Sequence, residues 1–240
     1  MNVKAMTTLI IATRNAHKVE EIRGILGAQF RFLTLRDFPN APAVVEDANT
    51  FAGNATKKAV ALAQWLSAQG SEFNVQGPTL VLADDSGLEV EALNGEPGVH
   101  SARFAAPDTH SGNSSDAENN AKLLRLLRDV PADKRKARFR CVMALVPVLV
   151  PQQANTSPVC AANEHEMQTE LFDGVCEGRI RFAPSGAKGF GYDPLFVPDG
   201  FDQSFAELGE GTKNRISHRA QALVKLRRRL SEVSAIVRAR

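Results

Sequence analysis

Two short apolar runs, Leu9–Ala12 and Leu80–Ala83, constrain the fold more than any other feature of the sequence. Neither run contains a polar residue, and runs of this length are typical of strands buried inside a sheet. Between them, apolar residues recur at helical spacing from Val19 to Leu26 and again from about Thr50 to Ser67, where Thr50 can cap the helix start. The first third of the chain therefore predicts alternating strands and helices.

The rest of the chain predicts both kinds of element in a less regular order. Ser115 and Glu118 form a capping box ahead of a third helix, which Val130-Pro131 closes. Residues 138–146 are strand-like, and residues 176–182 alternate apolar or small positions with charged ones, as a strand with one wet face does. These two strands are typical of a hairpin. The sequence therefore predicts an α/β or α+β fold, of which we take α/β, with a sheet that contains both parallel and antiparallel pairs.

The composition excludes several classes of protein. The 240 residues are 43% hydrophobic and 23% charged, which excludes disorder, collagen and coiled coil. Cys141, Cys160 and Cys176 are widely spaced, so neither a zinc site nor a secreted disulfide framework is expected, and a reducing cytoplasm fits best. The longest apolar run, residues 141–150, is broken by Pro147 and is far shorter than the roughly 20 residues of a membrane span. We therefore expect a cytoplasmic protein with no membrane partner.

The charges are divided along the chain. The net charge is only +2, but residues 213–240 hold nine lysines and arginines against one glutamate. The final helix predicted there is basic without interleaved aromatic residues, which favours a solvated face, so no nucleic-acid partner is expected.

The acids gather between Asp84 and Glu96, a stretch that holds five carboxylates and no lysine or arginine. Asp84 and Asp85 are predicted to lie at the carboxyl end of the second buried strand. Adjacent carboxylates repel each other unless hydrogen bonds or a cation neutralise them, so a metal site is one interpretation. A capped turn through Asp84-Asp85-Ser86-Gly87 is the other.

Two cations occupy unusual positions at helix starts. Lys18, beside His17, begins the first helix, and Arg219, beside His218, begins the last one after a Ser217 cap. A cation at a helix N-terminus is unfavourable by about 0.3 to 1 kcal/mol, and a bound phosphate would reverse that effect. Solvated surface cations are the alternative. The GxxxxGK[ST] pattern of a P-loop is absent.

The segment Gly189–Pro194 holds the only tyrosine of the chain, Tyr192, and places Phe190 between two glycines. An exposed aromatic ring in such a loop can stack on a flat ligand such as a nucleic-acid base. A turn whose aromatic rings pack inward is the alternative.

Together these segments resemble one family, the inosine triphosphate pyrophosphatases, also called Ham1-like or non-canonical purine nucleoside triphosphate pyrophosphatases. The resemblance spans residues 7–230 with interruptions, and four segments carry it: residues 13–18 (TRNAHK), 82–88 (LADDSGL), 189–194 (GFGYDP) and 216–219 (ISHR). It implies Mg²⁺-dependent hydrolysis of ITP, dITP and XTP to the monophosphate and pyrophosphate by a cytoplasmic homodimer.

The resemblance also implies the architecture. A long mixed central sheet flanked by helices would separate two lobes, with the nucleotide in the cleft between them. Residues 1–240 would form one such domain, with apparent insertions near 71–79 and 147–171.

The resemblance further implies a role for each matching residue. Asp85 would bind Mg²⁺ and activate the attacking water, with Asp84 and Glu46 completing the metal site. The phosphates would be held by Thr13, Arg14, Asn15, Ala16, His17, Lys18 and Lys58. The nucleotide and its base would be contacted by Ser86, Phe190, Gly191, Tyr192, Asp193, Lys213, His218 and Arg219. Of these, Lys213, His218 and Arg219 can donate hydrogen bonds to the 6-oxo group that separates inosine from adenosine.

Two other functions stay open. One is a pyrophosphatase for modified pyrimidine or methylated nucleotides, as in the Maf-like proteins. The other is a nucleotide-binding regulatory module without turnover, which the intact Asp84-Asp85 pair disfavours. A phosphatase of the haloacid dehalogenase type is not supported because its D-x-D arrangement is missing.

Overall fold

The computed structural model describes residues 6–70, 75, 77–107, 112–149 and 168–238. The strands are β1 (Thr8–Ile11), β2 (Arg31–Thr34), β3 (Thr79–Val90), β4 (Lys136–Pro147), β5 (Glu170–Ile180) and β6 (Phe196–Pro198). The helices are α1 (Ala16–Leu26), α2 (Phe51–Ala68), α3 (Asp116–Leu126), α4 (Phe205–Ile216) and α5 (His218–Arg238). Short 3₁₀ segments occur at Glu91–Leu93, Gly98–Arg103 and Ala132–Lys134. None of the helices in these ranges is both long enough and apolar enough to span a membrane.

The sheet is mixed, as the sequence predicts. Its strand order is β2-β1-β3-β4-β5-β6. β1 pairs in parallel with both β2 and β3, so Leu9 lies opposite Phe32 on one side and Leu80 on the other. β5 and β6 pair antiparallel. The two apolar runs thus form adjacent parallel strands. A strand that is covered on both faces needs apolar residues at successive positions, and both runs have that pattern.

β3 differs from its prediction. The expected strand ends at Ala83 and turns through Asp84-Asp85-Ser86-Gly87, but the observed strand continues to Val90. The interpretation as a capped turn is therefore wrong. The physical reason is that Leu88 and Val90 are fully buried beyond the polar residues, and their burial stabilises the extended conformation. Asp84 and Asp85 consequently lie inside a strand and are only 3% and 6% exposed.

The helix starts agree with the capping residues. The Thr50 hydroxyl accepts a hydrogen bond from the Gly53 amide at 3.0 Å and caps α2. Ser115 and Glu118 form the predicted capping box of α3, although the helix ends at Leu126, before Val130-Pro131. α5 begins at His218, after Ser217. α1 begins at Ala16, so Lys18 lies in its first turn instead of at its first residue.

In the part of the chain that the structure describes, one α-helix and two strands have no counterpart in the sequence-based prediction. They are α4 and the short strands β2 and β6. α4 carries a readable signal, because Ser204 and Glu207 form the same kind of capping box as at α3. Gly209, with φ of 74°, kinks the helix. Most of the predicted loop at 147–171 lies outside the described residues.

Contacts within the chain define two compact units, Met1–Asp84 with Met143–Leu171, and Asp85–Val142 with Phe172–Arg240. The core of the first unit is formed by small and branched side chains from β1, α2, β3 and β4, including Ile10, Ala59, Leu66, Val81 and Val146. The core of the second unit is rich in aromatic rings. Phe139 and Phe196 have ring centroids 4.7 Å apart, and Phe205 lies 5.3 Å from Phe196.

Candidate functional site

In the first unit, the loop after β1 is organised by its own polar side chains. The Asn15 side chain caps α1 by accepting a hydrogen bond from the Lys18 amide at 3.2 Å, and the Thr13 hydroxyl accepts one from the Asn15 amide at 3.2 Å. Arg14, Ala16 and His17 are exposed. The residues of the predicted phosphate loop are thus gathered at one helix N-terminus, where backbone amides and the helix dipole favour an anion.

Lys18 is held by an acid of β3. Its Nζ atom lies 3.0 Å from Oδ1 of Asp84, whose side chain is only 1% exposed. A buried carboxylate attracts a cation strongly, because water screens the charges poorly there. Asp84 therefore fixes the ammonium beside the start of α1.

Glu46 and Lys58 form a second ion pair in this unit, with Oε2 and Nζ 2.9 Å apart. The segment that carries Glu46 is fixed to α2 by Asn54. The Asn54 side chain accepts a hydrogen bond from the Ala48 amide at 2.9 Å and donates one to the Ala48 carbonyl at 3.3 Å. A predicted metal ligand and a predicted phosphate-binding cation are thus adjacent.

In the second unit, one carboxylate oxygen organises the predicted base-binding loop. Oδ2 of Asp193 accepts hydrogen bonds from Nζ of Lys213 at 2.6 Å and from the Phe190 amide at 2.9 Å. The side chains of Lys213 and Asp193 are only 5% and 3% exposed. Gly189 is required here, because a Cβ at this position would lie 2.2 Å from the same oxygen.

Two cations face the ring of Phe190. Nζ of Lys213 lies 4.4 Å from the ring centroid, and Cζ of Arg219 lies 5.9 Å from it. Arg219 is buried and donates a hydrogen bond to the Ser86 hydroxyl at 3.3 Å. Two hydrogen-bond donors, Lys213 and Arg219, therefore lie beside the half-buried aromatic ring. Asp193 is the carboxylate that accepts a hydrogen bond from Lys213.

The start of α5 is packed tightly against β5. A Cβ on Gly174 would lie 2.0 Å from the His218 carbonyl oxygen and 2.7 Å from the Ala222 amide nitrogen. The His218 ring stacks on Phe139, with centroids 4.8 Å apart and an interplanar angle of 15°. These contacts determine where Arg219 lies.

Tyr192 points away from this cluster. Its side chain is buried in the aromatic core, and its hydroxyl donates a hydrogen bond to the Ser101 carbonyl at 2.8 Å. Burial raises the pKa of Tyr192, and the charge of Asp116 raises it further, so the phenol stays protonated and keeps this bond. The interpretation of inward-packed rings thus holds for Tyr192, whereas Phe190 is only partly buried.

Two residues that the sequence analysis did not single out contact the same loop. Oδ2 of Asp116 accepts a hydrogen bond from the Gly191 amide at 2.6 Å, and the Asn120 side chain donates one to the Gly191 carbonyl at 2.9 Å. Asp116 and Asn120 are four residues apart on α3 and so lie on one face of that helix. No local sequence signal indicates these contacts, because 75 positions separate Asp116 from Gly191.

The acidic side chains offer few ligands to a metal ion. Among the described residues, no group of three histidine, cysteine or acidic side chains gathers as a metal cage. Successive residues of a strand point to opposite faces, so Asp84 and Asp85 are not directed at one point. Mg²⁺ does not require a protein cage, because it commonly binds one or two carboxylates and takes its other ligands from phosphates and water. The carboxylate of Asp85 fits such an ion.

The chain is similar to known proteins over most of its length. The model of the Ham1 family matches residues 9–229. The dITP/XTP pyrophosphatase of Opitutus terrae is 45% identical over 225 residues, which cover 91% of this chain and 96% of that protein. The dITP/XTP pyrophosphatase of Geobacter sulfurreducens is 43% identical over 223 residues, covering 92% of this chain and 96% of that protein.

Two solved structures are similar over nearly their whole length. The Ham1 protein of Staphylococcus aureus has a TM-score of 0.71 and 32% identity, covering 94% of this chain and 98% of that one. A HAM1 protein of Coxiella burnetii has a TM-score of 0.71 and 34% identity, covering 95% of this chain and 100% of that one.

Proposed function

Because the chain belongs to the Ham1 family, we propose that it hydrolyses dITP, ITP and XTP to the monophosphate and pyrophosphate with Mg²⁺. Relatives named dITP/XTP pyrophosphatase match more than nine-tenths of its length, and the chain is accordingly a nucleoside triphosphate pyrophosphatase. The observation that carries the choice of base is the cluster of Lys213, Arg219 and Asp193 around the ring of Phe190.

This cluster suits a purine with a 6-oxo group. The ring of Phe190 offers a stacking surface, and the side chains of Lys213 and Arg219 offer donors but no acceptor. An oxo group accepts from such donors, whereas the 6-amino group of adenine leaves them without an acceptor in a buried place. Asp193 holds the ammonium of Lys213 and the backbone of Phe190 with one oxygen, so donor and stacking surface keep a fixed relation.

The phosphates are assigned to the first unit. Lys18, fixed by Asp84, and the positive end of the helix dipole at the start of α1 supply positive charge for the triphosphate. Lys58 supplies a further cation, and Glu46, which lies beside it, stays a predicted metal ligand. Thr13 and Asn15 shape the helix start through their hydrogen bonds, and all of the loop residues from Thr13 to His17 stay predicted phosphate contacts.

Asp85 is assigned as the catalytic carboxylate. A water oxygen attacks the α-phosphorus, the bond from that phosphorus to the bridging oxygen breaks, and pyrophosphate leaves with the bond electrons. Asp85 accepts the proton that the water loses, and its carboxylate is the one that would hold Mg²⁺. When bound, Mg²⁺ neutralises charge on the phosphates and makes water more acidic. Asp84 acts by holding Lys18 in place.

The test is a panel of nucleoside triphosphates, with and without Mg²⁺, in which pyrophosphate and orthophosphate are measured separately. We expect pyrophosphate from dITP, ITP and XTP at a kcat/KM at least about a hundredfold above that for ATP. Orthophosphate in place of pyrophosphate would contradict the proposed bond cleavage. Including 5-methyl-dCTP and modified pyrimidine triphosphates tests the Maf-like alternative, and binding without turnover would indicate a regulatory module. We also expect a homodimer, which light scattering measures.

A further inference from the structure

We infer that Asp116, together with Asn120, is a positioning residue for the loop that carries Phe190, and through that loop for the binding of the purine base. The inference rests on the proposed function, in which Phe190 stacks on the base. In this role neither Asp116 nor Asn120 touches the base. Both act on the backbone next to the ring.

The contacts fix both peptide groups of one residue. The Gly191 amide belongs to the peptide that leads back to Phe190, and Asp116 accepts its hydrogen at 2.6 Å. The Gly191 carbonyl belongs to the next peptide, and Asn120 donates to it at 2.9 Å. Two rigid peptide planes joined at one Cα are therefore held from one face of α3.

The loop needs such a restraint from a neighbouring element. Gly189 and Gly191 flank Phe190, and both have positive φ, 80° and 62°. Glycine moves between backbone regions more easily than any other residue, so the ring sits between two flexible points. Gly191 also has open space around it, since a Cβ there would meet no atom within 4 Å. Hydrogen bonds therefore restrain this residue, and those of its own amide and carbonyl both go to α3.

The contacts on either side of Gly191 do not replace this hold. Asp193 restrains both peptide groups of Phe190, because its side chain accepts a hydrogen bond from the Phe190 amide at 2.9 Å and its own amide donates one to the Phe190 carbonyl at 3.3 Å. The Tyr192 hydroxyl donates a hydrogen bond to the Ser101 carbonyl. The bond that closes this turn is the longest of these, and opening it would let rotation at Gly191 tilt the ring relative to the ammonium of Lys213, which lies 4.4 Å from its centroid. The shorter bonds from Asp116 and Asn120 oppose that rotation. A loop that samples several orientations must be ordered when the base binds, and that ordering weakens affinity.

Asp116 also lies in the first turn of α3, where a carboxylate favours the helix. Its substitution therefore needs a control that weakens the same helix start without touching Gly191. Glu118 provides it, because its carboxylate closes the capping box on Ser115 and, within the residues that the structure describes, makes no hydrogen bond to the loop. Glu118→Ala should loosen the helix start alone.

The first experiment measures steady-state kinetics with dITP for Asp116→Ala, Asp116→Asn, Asn120→Asp and Glu118→Ala. We expect KM to rise about tenfold in Asp116→Ala with kcat changed less than about twofold, because ordering the base before reaction is uniform binding. Asp116→Asn keeps a neutral acceptor and should show a smaller rise. Asn120→Asp keeps the shape but replaces the donor with an acceptor, so its KM should rise too. Glu118→Ala should leave KM unchanged.

The second experiment needs no turnover. Amide hydrogen exchange of the ligand-free protein, resolved at Gly191, should accelerate at least about tenfold in Asp116→Ala and stay as in the wild type in Glu118→Ala. Unchanged exchange at Gly191, or an equal rise of KM in Glu118→Ala, would overturn the positioning role. A wild-type protein that releases no pyrophosphate would overturn the proposed function instead, while the exchange data would still decide whether Asp116 holds Gly191.

Discussion

The ammonium of Lys18 lies 3.0 Å from the carboxylate of Asp84, so a cation in the first turn of a helix is stabilised by a buried acid of the neighbouring strand. This pair explains how the chain tolerates a charge that the helix dipole disfavours. It also explains how a carboxylate can occupy the interior of β3, where an isolated charge would be costly.

Lys18→Met should therefore destabilise the protein and weaken substrate binding. Asp84 stays buried without its lysine, and we expect a loss of about 1 to 3 kcal/mol in the free energy of unfolding, since Lys18 itself is partly exposed. Urea unfolding at pH 7 measures this. Lys57→Met is the matched control, because Lys57 pairs with Asp47 at the surface, and should cost less than about 1 kcal/mol. Adding Asp84→Asn to Lys18→Met should recover part of the stability, and the prediction is wrong if it does not.

Asp85→Asn should abolish most activity and keep the fold. The amide cannot accept the proton of the attacking water, so we expect pyrophosphate release from dITP to fall by about 10²-fold to 10⁴-fold. Initial rates with a coupled pyrophosphate assay measure this. Glu91→Gln removes an exposed carboxylate from the same acidic stretch and should retain wild-type rates. Equal losses in the two variants would assign the effect to general electrostatics.

Gly174→Ala should displace the start of α5. The new Cβ would lie 2.0 Å from the His218 carbonyl, and backbone on both sides leaves no room for it. We expect destabilisation of about 1 to 3 kcal/mol by thermal unfolding, together with a raised KM because Arg219 follows His218. Gly211→Ala is the control: this glycine of α4 has open space and no positive φ, so alanine should be neutral or stabilise by up to about 1 kcal/mol.

Glu207 should make stability depend on pH in the acidic range. Hydrogen bonds from the Ser185 hydroxyl and the Ser204 amide, with the nearby charge of Arg181, lower the pKa of Glu207 from 4.5 to about 2. A carboxylate with a lowered pKa stabilises the fold above its unfolded pKa, and this contribution is lost as the pH falls from about 4.5 towards 2.

The variant Glu207→Gln isolates this effect. Urea midpoints measured from pH 7 to pH 3 should show the largest difference between wild type and variant above pH 4.5, and the difference should shrink as the pH falls. Glu210→Gln makes the same charge change at an exposed position of α4. A constant difference for Glu207→Gln across the range would contradict the prediction.

Local signals in the sequence predicted the elements whose stabilising contacts are local. Thr50 and the Ser115–Glu118 box mark helix starts because their hydrogen bonds close within three residues. The apolar run at Leu9–Ala12 identified β1 although its partner strands are distant, because a strand buried on both faces needs an unbroken apolar run. The continuation of β3 was missed because it depends on the burial of Leu88 and Val90 in a core formed by distant segments.

The candidate site shows the same division. The motif around Phe190 was visible because its glycines and aromatic residues are adjacent. Its restraint by Asp116 was not, because that contact forms only when α3 and the loop meet in the fold. The pairing of Lys18 with Asp84 could not be predicted either, because the two residues are distant in the sequence. Each charge, considered alone, is in an electrostatically unfavourable place.

In the base site proposed above, the oxygen that Asp193 shares between Lys213 and the Phe190 amide limits how substrate preference can change. A substitution of Lys213 that aims at a different base also removes a partner from the carboxylate that holds the aromatic ring. The stacking surface and the donor cannot be altered one at a time without disturbing each other. A shift in base preference, in evolution or by engineering, must therefore change positions 193 and 213 together, so single substitutions should yield weaker enzymes before they yield differently selective ones.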